Sequence, residues 1–219
     1  FTITVNPTAQ IDQPVNRVVC NGDTTSIVEF TTQNTGGTTT YIWTNNTPSI
    51  GLSGSGSGDI LAFTATNSST EPVVATITMT PTFENGGIVC DGEDKTFTIT
   101  VNPTAQVNQP TNQVVCNGDD VDVLFTTENI FGLTSYSWTS DTQIGAGLSG
   151  SGDMNFIAIN SSTAPVEATI IVTPTFEFDN VVCDGEAKTF IITVNPTAQV
   201  DQTVDQVVYN QGTTTPVLF

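Results

Sequence analysis

The chain has 219 residues, and its 22 acidic side chains, 3 basic side chains and absence of histidine give a net charge of −19. So few lysines and arginines argue against a phosphate-binding surface and against adsorption to anionic lipid, so we expect no nucleic-acid partner and no direct membrane insertion. Without histidine, a serine or cysteine nucleophile lacks its usual base, and we expect no enzymatic activity.

A ten-residue segment, Phe-Thr-Ile-Thr-Val-Asn-Pro-Thr-Ala-Gln, opens the chain and recurs twice. It returns at residues 97–106 and, with one exchange, at residues 190–199, so the offsets are 96 and then 93 residues. Self-similarity at a nearly fixed period is the mark of a repeat array. The sequence is therefore interpreted as tandem repeats of about 95 residues, each large enough for one small core.

The register of this segment divides the chain into four parts. We predict the end of a preceding repeat at residues 1–8, complete repeats at residues 9–103 and 104–196, and the start of a following repeat at residues 197–219. We expect the chain to be a segment of a longer protein, with neighbouring repeats of the same chain as its direct partners. Residues 8–16 and 104–112 are short and polar, so we expect connectors that hold neighbours close.

Short runs of alternating apolar and polar residues predict the strands of each repeat. In chain order, the first repeat begins with a kinked strand and turn near Val18, Val19 and Asn21, followed by a strand through Ile27, Val28 and Phe30. The next two predicted strands contain Tyr41 and Trp43, and then Leu61, Phe63 and Ala65. The last two contain Ala75, Ile77 and Met79, and then Phe97, Ile99 and Val101. The last two are joined by turn-forming residues, which predicts a hairpin. About seven short strands and no helical period indicate an all-β sandwich.

Two tryptophans occupy matching places in the repeats. Trp43 shares its parity with Tyr41, and Trp138 shares its parity with Tyr136. An aromatic residue on a central strand of so small a sandwich is predicted to fill the core. The alternative is a surface aromatic that stacks on sugar.

Four cysteines, Cys20, Cys90, Cys116 and Cys183, allow three pairings. We expect the within-repeat pairs, Cys20 with Cys90 and Cys116 with Cys183. The alternative is a bridge from the turn of one repeat to the loop of its neighbour, because a regular sandwich puts the two cysteines of a repeat at opposite poles. Tyr209 stands where a third repeat would carry its first cysteine, so at least one kind of bridge is dispensable.

Acidic side chains crowd the loops near the repeat boundaries. They are Asp91, Glu93 and Asp94 in one loop, Asp184 and Glu186 in the matching loop, and Asp119, Asp120 and Asp122 in another. Carboxylate oxygens on loops are the ligands that Ca²⁺ prefers, so these residues predict a calcium site. The alternative is a solvated, self-repelling surface that keeps the protein in solution.

The repeats resemble the PKD-like, immunoglobulin-type domains found in tandem in giant surface proteins of Bacteroidota. The resemblance spans nearly the whole chain and rests on Val-Val-Cys-Asn-Gly-Asp, Tyr-x-Trp-Thr, Gly-Leu-Ser-Gly-Ser-Gly, Ala-Thr-Ile-x-x-Thr-Pro-Thr, Val-Cys-Asp-Gly-Glu and Thr-Phe-x-Ile-Thr-Val-Asn-Pro. It departs from ordinary PKD domains after Trp43, where Thr-Asn-Asn replaces a Phe-Gly-Asp-Gly-like run. The resemblance implies a secreted, extracellular, cell-surface adhesin or stalk, including the gliding adhesins exported by the type IX system.

Three functions remain open from the sequence. The first is a structural segment of a surface filament that holds an adhesive tip away from the cell. The second is a module that binds surface glycans or other cell-surface proteins. The third is a fibre in which exposed edge strands pair laterally between chains.

Overall fold

The structure is a computed structural model and describes residues 1–217. The first repeat contains β1 (Arg17–Cys20), β2 (Thr38–Asn45), β3 (Ser55–Ser57), β4 (Val73–Asn85), β5 (Ile88–Asp91) and β6 (Lys95–Asn102), with a single 3-10 turn at Pro48–Ile50. The second contains β7 (Gln113–Cys116), β8 (Asp120–Val123), β9 (Leu133–Ser140), β10 (Ser149–Ser151), β11 (Met154–Ile157), β12 (Val166–Phe178), β13 (Val181–Asp184) and β14 (Lys188–Asn195). The fold is all-β, as the alternation in the sequence predicts.

The main sheet of each repeat has the same strand order. In the first repeat it is β1-β6-β4-β2-β3, and in the second the equivalent strands follow the order β7-β14-β12-β9-β10. The predicted hairpin is confirmed, because β4 pairs antiparallel with β6 and β12 with β14. Its connecting loop is more ordered than expected, since β5 and β13 fold back onto the ends of β4 and β12.

A second, smaller layer closes each sandwich, formed by β8 paired with β11 in the second repeat and by the bridges Thr24–Thr64 and Val28–Ile60 in the first. The predicted connectors are part of this layer. Ala9 and Ile11 are buried, and the backbone N–H of Asp12 donates to the carbonyl oxygen of Thr31 at 2.8 Å. Residues 8–16 are therefore part of the first repeat rather than a separate connector, because Ala9 and Ile11 are buried in it. In the second repeat, Val107 is buried in the same way.

The core of each sandwich lies between the two layers. The long strands β4 and β12 bury every second residue over most of their length, as period-two side-chain geometry requires. The predicted alternation through Leu61 is wrong. Ile60 is 1% exposed whereas Leu61 is 72% exposed, because Ile60 pairs with Val28 across the second layer and leaves its neighbour facing solvent.

Candidate functional site: the interface between repeats

The cysteines pair across the repeat boundary. Cys20 and Cys183 form a disulfide with their Cα atoms 5.5 Å apart. Cys90 and Cys116 are free thiols, the first half-buried and the second exposed. The expected pairs, Cys20 with Cys90 and Cys116 with Cys183, are therefore wrong, and the structure has the alternative bridge from a turn of one repeat to the loop of the next.

The strand topology explains why a within-repeat bridge cannot form. Because β1 runs parallel to β6, it brings Cys20 level with Asn102, where the first repeat ends. Cys90 instead lies beside Phe83, near the other end of β4. Phe83 is ten residues along β4 from Val73, which lies beside the end of β6, so the separation is roughly 33 Å at about 3.3 Å per residue. A disulfide joins Cα atoms less than about 7 Å apart, so the two cysteines of one repeat cannot meet.

A projecting hairpin supplies the second repeat's side of the interface. The strands β12 and β13 are joined by Asp179 and Asn180, whose φ angles of 50° and 61° are left-handed. Two left-handed residues in succession make the tight turn that matches the twist of a hairpin. The hairpin places Cys183, which is only 2% exposed, against the end of the first repeat.

Asn102 connects the two repeats by hydrogen bonds next to the disulfide. Its Nδ2 donates to the carbonyl oxygen of Phe178 at 3.1 Å and to that of Val181 at 3.3 Å. The residue is fully buried, and its Oδ1 accepts no hydrogen bond. No role was assigned to Asn102 from the sequence, and its contact with the neighbouring repeat was missed.

The peptide at the boundary is held from both sides. Asn21 of the first repeat donates to the hydroxyl of Thr104 at 2.8 Å, and Asn129 of the second donates to the carbonyl oxygen of Thr104 at 3.2 Å. In addition, the backbone N–H of Ile130 donates to the carbonyl oxygen of Thr70 at 2.9 Å. The repeats therefore follow one another without a flexible linker.

The calcium site predicted from the acidic loops stays a prediction. Within residues 1–217, no three carboxylate, cysteine or histidine side chains converge as metal ligands would, and this includes Asp91, Glu93, Asp94, Asp119, Asp120, Asp184 and Glu186. Several of these carboxylates have other partners. Asp94 accepts from the hydroxyl of Thr80 at 2.6 Å, and Asp119 accepts from the backbone N–H of Cys116 at 2.9 Å. Asp122 accepts from the amide of Asn155.

Both tryptophans lie in the cores, as their parity predicts. Trp43 is 6% exposed and Trp138 is 7% exposed. Each indole packs beneath a glycine of the Gly-Ser tract, where a Cβ on Gly56 or Gly150 would overlap the ring. The glycines of this tract therefore serve close packing, and neither tryptophan offers a platform for sugar.

One open groove recurs in both repeats. In the first it has a volume of about 430 Å³ and is lined by residues 8–12 with Glu93 and Lys95. The matching groove in the second repeat has about 320 Å³ and is lined by residues 104–108 with Glu186 and Lys188. No aromatic side chain lines either groove, and most ligand sites are enclosed by apolar and aromatic side chains.

Among residues 1–217, four side chains have shifted pKa values, each from a local cause. Hydrogen bonds from Thr31 and then Gln33 lower the pKa of Asp12. The same bonds hold residues 8–16, which contain Asp12, within the second layer. The backbone N–H of Thr169 lowers the pKa of Asp141. Burial raises the pKa of Tyr41 and of Tyr136. None of these shifts belongs to a catalytic pair.

The fold and this interface define a tandem array of immunoglobulin-like β-sandwiches, and a solved structure shares the fold. The three N-terminal domains of the highly immunogenic outer capsid protein of bacteriophage RB49 match with a TM-score of 0.51 and 12% identity, over 87% of this chain and 70% of that one. Mouse cadherin-23 EC22-24 matches with a TM-score of 0.43 and 14% identity, over 85% of this chain and 66% of that one. At 12% identity, the likeness to the capsid protein shows the fold alone.

Neither protein-family models nor curated protein sequences match the chain. Within residues 1–217, no helix has the length and apolar character needed to cross a membrane.

Proposed function

We propose that this chain is a structural repeat segment of the stalk or filament of a large secreted bacterial surface adhesin. The observation that carries the proposal is the interface, where the Cys20–Cys183 disulfide and the hydrogen bonds of Asn102 join two repeats without a flexible linker. A spacer must keep the tip at a fixed distance from the cell. Repeats that are fixed end to end maintain this distance, whereas freely jointed repeats do not.

The setting is proposed from two features. Disulfides persist mainly in oxidising, extracellular surroundings, which supports a place outside the cell. The repeat motifs that resemble Bacteroidota PKD-like domains support a cell-surface adhesin, with gliding motility and type IX export as the specific setting. The net charge of −19 fits a surface that stays dispersed in solution.

A binding module is the second candidate, and the recurring groove favours it. The groove lies at the same place in both repeats and carries a Glu–Lys combination each time, Glu93 with Lys95 and Glu186 with Lys188. It lacks aromatic side chains, however, and both tryptophans are buried. Glycan binding through an aromatic platform therefore ranks below the structural role.

Lateral fibre formation is the third candidate, and the sheet edges disfavour it. The edge strands of the first main sheet, β1 and β3, have only 4 and 3 residues. Very short edge strands offer few unpaired backbone groups to another chain, which is one way in which sandwiches avoid edge pairing.

Small-angle X-ray scattering of the 219-residue chain tests the structural role. We expect the distribution of intramolecular distances of a single rigid conformation, with a longest distance that matches two sandwiches end to end. The double variant Cys20→Ser, Cys183→Ser should broaden that distribution, whereas the matched control Cys90→Ser, Cys116→Ser should leave it unchanged. A broad distribution in the unaltered chain would contradict a stiff stalk segment.

A further inference from the structure

We propose that Cys90 and Cys116 are half-sites of two more inter-repeat disulfides, so that consecutive junctions of the array are closed by the same covalent bond. The rule is that the first cysteine of one repeat bonds the second cysteine of the next, as Cys20 bonds Cys183. The partner in each case is another repeat of this type. This inference rests on the proposed function, because it requires repeats on both sides.

The surroundings of Cys90 repeat those of Cys183. Asn6, in the segment predicted to end a preceding repeat, donates its Nδ2 to the carbonyl oxygen of Asn85 at 2.9 Å and to that of Ile88 at 3.4 Å. Asn102 makes the same two bonds to Phe178 and Val181 at the complete junction. The end of the preceding repeat thus already lies on the hairpin that carries Cys90, in the arrangement that brings Cys20 to Cys183.

The surroundings of Cys116 repeat those of Cys20. In β7, Cys116 lies level with Asn195 on the parallel neighbour β14, just as Cys20 lies level with Asn102 on β6. The backbone N–H of Asn117 donates to the carbonyl oxygen of Asn195 at 2.9 Å, which fixes the turn after Cys116. The exposed Cys116 is therefore presented at the pole where a following repeat would place its hairpin.

Burial shows which junctions are complete. At the complete junction Cys183 is 2% exposed and Asn102 is fully buried. At the open junctions Cys90, Asn6 and Asn195 are only half-buried. Asn6 holds the same place on the hairpin of Cys90 that Asn102 holds on the hairpin of Cys183, so the turn of a preceding repeat would cover Cys90 as the turn that bears Cys20 covers Cys183.

Bond formation is a balanced two-electron oxidation. Two thiols lose two protons and two electrons as the S–S bond forms, and a disulfide oxidant such as oxidised glutathione accepts the electrons as its own S–S bond breaks. Tyr209 replaces the first cysteine in the following repeat, so the rule predicts that the junction after that repeat lacks the bond.

A doubled chain tests the rule. Residues 1–196 followed directly by residues 8–219 join without a seam, because Thr197, Ala198 and Gln199 repeat Thr8, Ala9 and Gln10. After oxidation with glutathione and denaturation, free thiols are alkylated and the chain is digested with trypsin, which cuts after Arg17, Lys95 and Lys188. We expect two alkylated cysteines of eight, with both copies of peptides 18–95 and 96–188 joined in one species.

The control is Cys116→Tyr in the leading copy, which introduces the residue that nature has at position 209. It should split the joined species into two linked pairs and free one more cysteine, Cys90 of the trailing copy. Four alkylated cysteines in the unaltered doubled chain, with Cys20 still bonded to Cys183 in both copies, would overturn the inference and leave the proposed function standing. Loss of the Cys20–Cys183 bond as well would overturn both.

Discussion

Asn102, at the end of the first repeat, donates its side-chain N–H to the carbonyl oxygen of Phe178 in the second repeat at 3.1 Å. The bond crosses the repeat boundary within the same cluster as the Cys20–Cys183 disulfide, since Asn102 and Cys20 are level on neighbouring strands. One amide therefore ends a strand of its own repeat and fixes the hairpin of the next.

Replacing Asn102 by alanine should weaken the junction. The carbonyl oxygens of Phe178 and Val181 lose their donor, which we expect to cost about 1–3 kcal/mol of the free energy of unfolding. Urea denaturation measures the loss. The matched control is Asn195→Ala, whose side chain donates no hydrogen bond to a hairpin within residues 1–217, and equal losses in the two variants would contradict the role assigned to Asn102.

A buried asparagine closes the loop before β4 in the first repeat and before β12 in the second. Asn67 donates to the carbonyl oxygens of Val101 at 2.7 Å and Glu71 at 2.8 Å, and Asn160 has the equivalent partners. We expect Asn67→Ala to cost about 1–3 kcal/mol because buried acceptors lose their partner. Ser68→Ala, at the exposed neighbour, is the control, and thermal melts that rank the two variants alike would refute this reading.

The Gly-Ser tract gives a packing prediction. Gly56→Ala would drive a methyl group into the indole of Trp43, and overpacking of this kind costs about 1–3 kcal/mol. Gly54→Ala should be nearly neutral, because a Cβ there meets Pro48 only at 3.4 Å. The melting temperature and tryptophan fluorescence of both variants check this, and a silent Gly56→Ala would mean that Trp43 does not fill the core as described.

The main-sheet strands and the core tryptophans could be predicted because each follows from local alternation, whereas the repeat boundaries were predicted from the recurrence of a ten-residue segment. The Cys20–Cys183 bond could not, since it depends on the parallel pairing of β1 with β6, and nothing local in the sequence specifies that pairing. The exposed Leu61 was mispredicted for a related reason. Ile60 and Ala65 are both buried although they differ in parity, so the alternation is broken between them, and no proline or glycine marks the break.

The stability of the second repeat at low pH should depend on Asp141. Hydrogen bonds from Thr169 hold its pKa below the ordinary value of 3.8, so its contribution to stability is present above that pH and is lost as the pH falls through the lower folded-state value. Asn46 accepts the equivalent bond from Thr76 with an amide oxygen that does not titrate in this range. We therefore expect Asp141→Asn to flatten the acid limb of an unfolding profile.

The reverse exchange provides the check. Asn46→Asp should introduce acid dependence into the first repeat, and an unchanged profile in both variants would show that these carboxylates contribute no linkage.

The acidic loops predict the outcome of metal removal. Because no three carboxylates converge within residues 1–217, we expect thermal melts in excess Ca²⁺ and in excess EDTA to coincide at fixed ionic strength. A ligand that binds only the folded state raises the midpoint by mass action. A clear upward shift with Ca²⁺ would restore the calcium site predicted at Asp91, Glu93 and Asp94.

The measurement that tests the covalent junction most directly is a non-reducing tryptic digest of the 219-residue chain, with free thiols alkylated first under denaturing conditions. Cleavage after Arg17, Lys95 and Lys188 puts Cys20 and Cys90 in peptide 18–95, and Cys116 and Cys183 in peptide 96–188. We predict a single linked species of both peptides, with the alkyl groups on Cys90 and Cys116. Two separate peptides, each with an internal disulfide and no alkyl group, would contradict a covalently joined array.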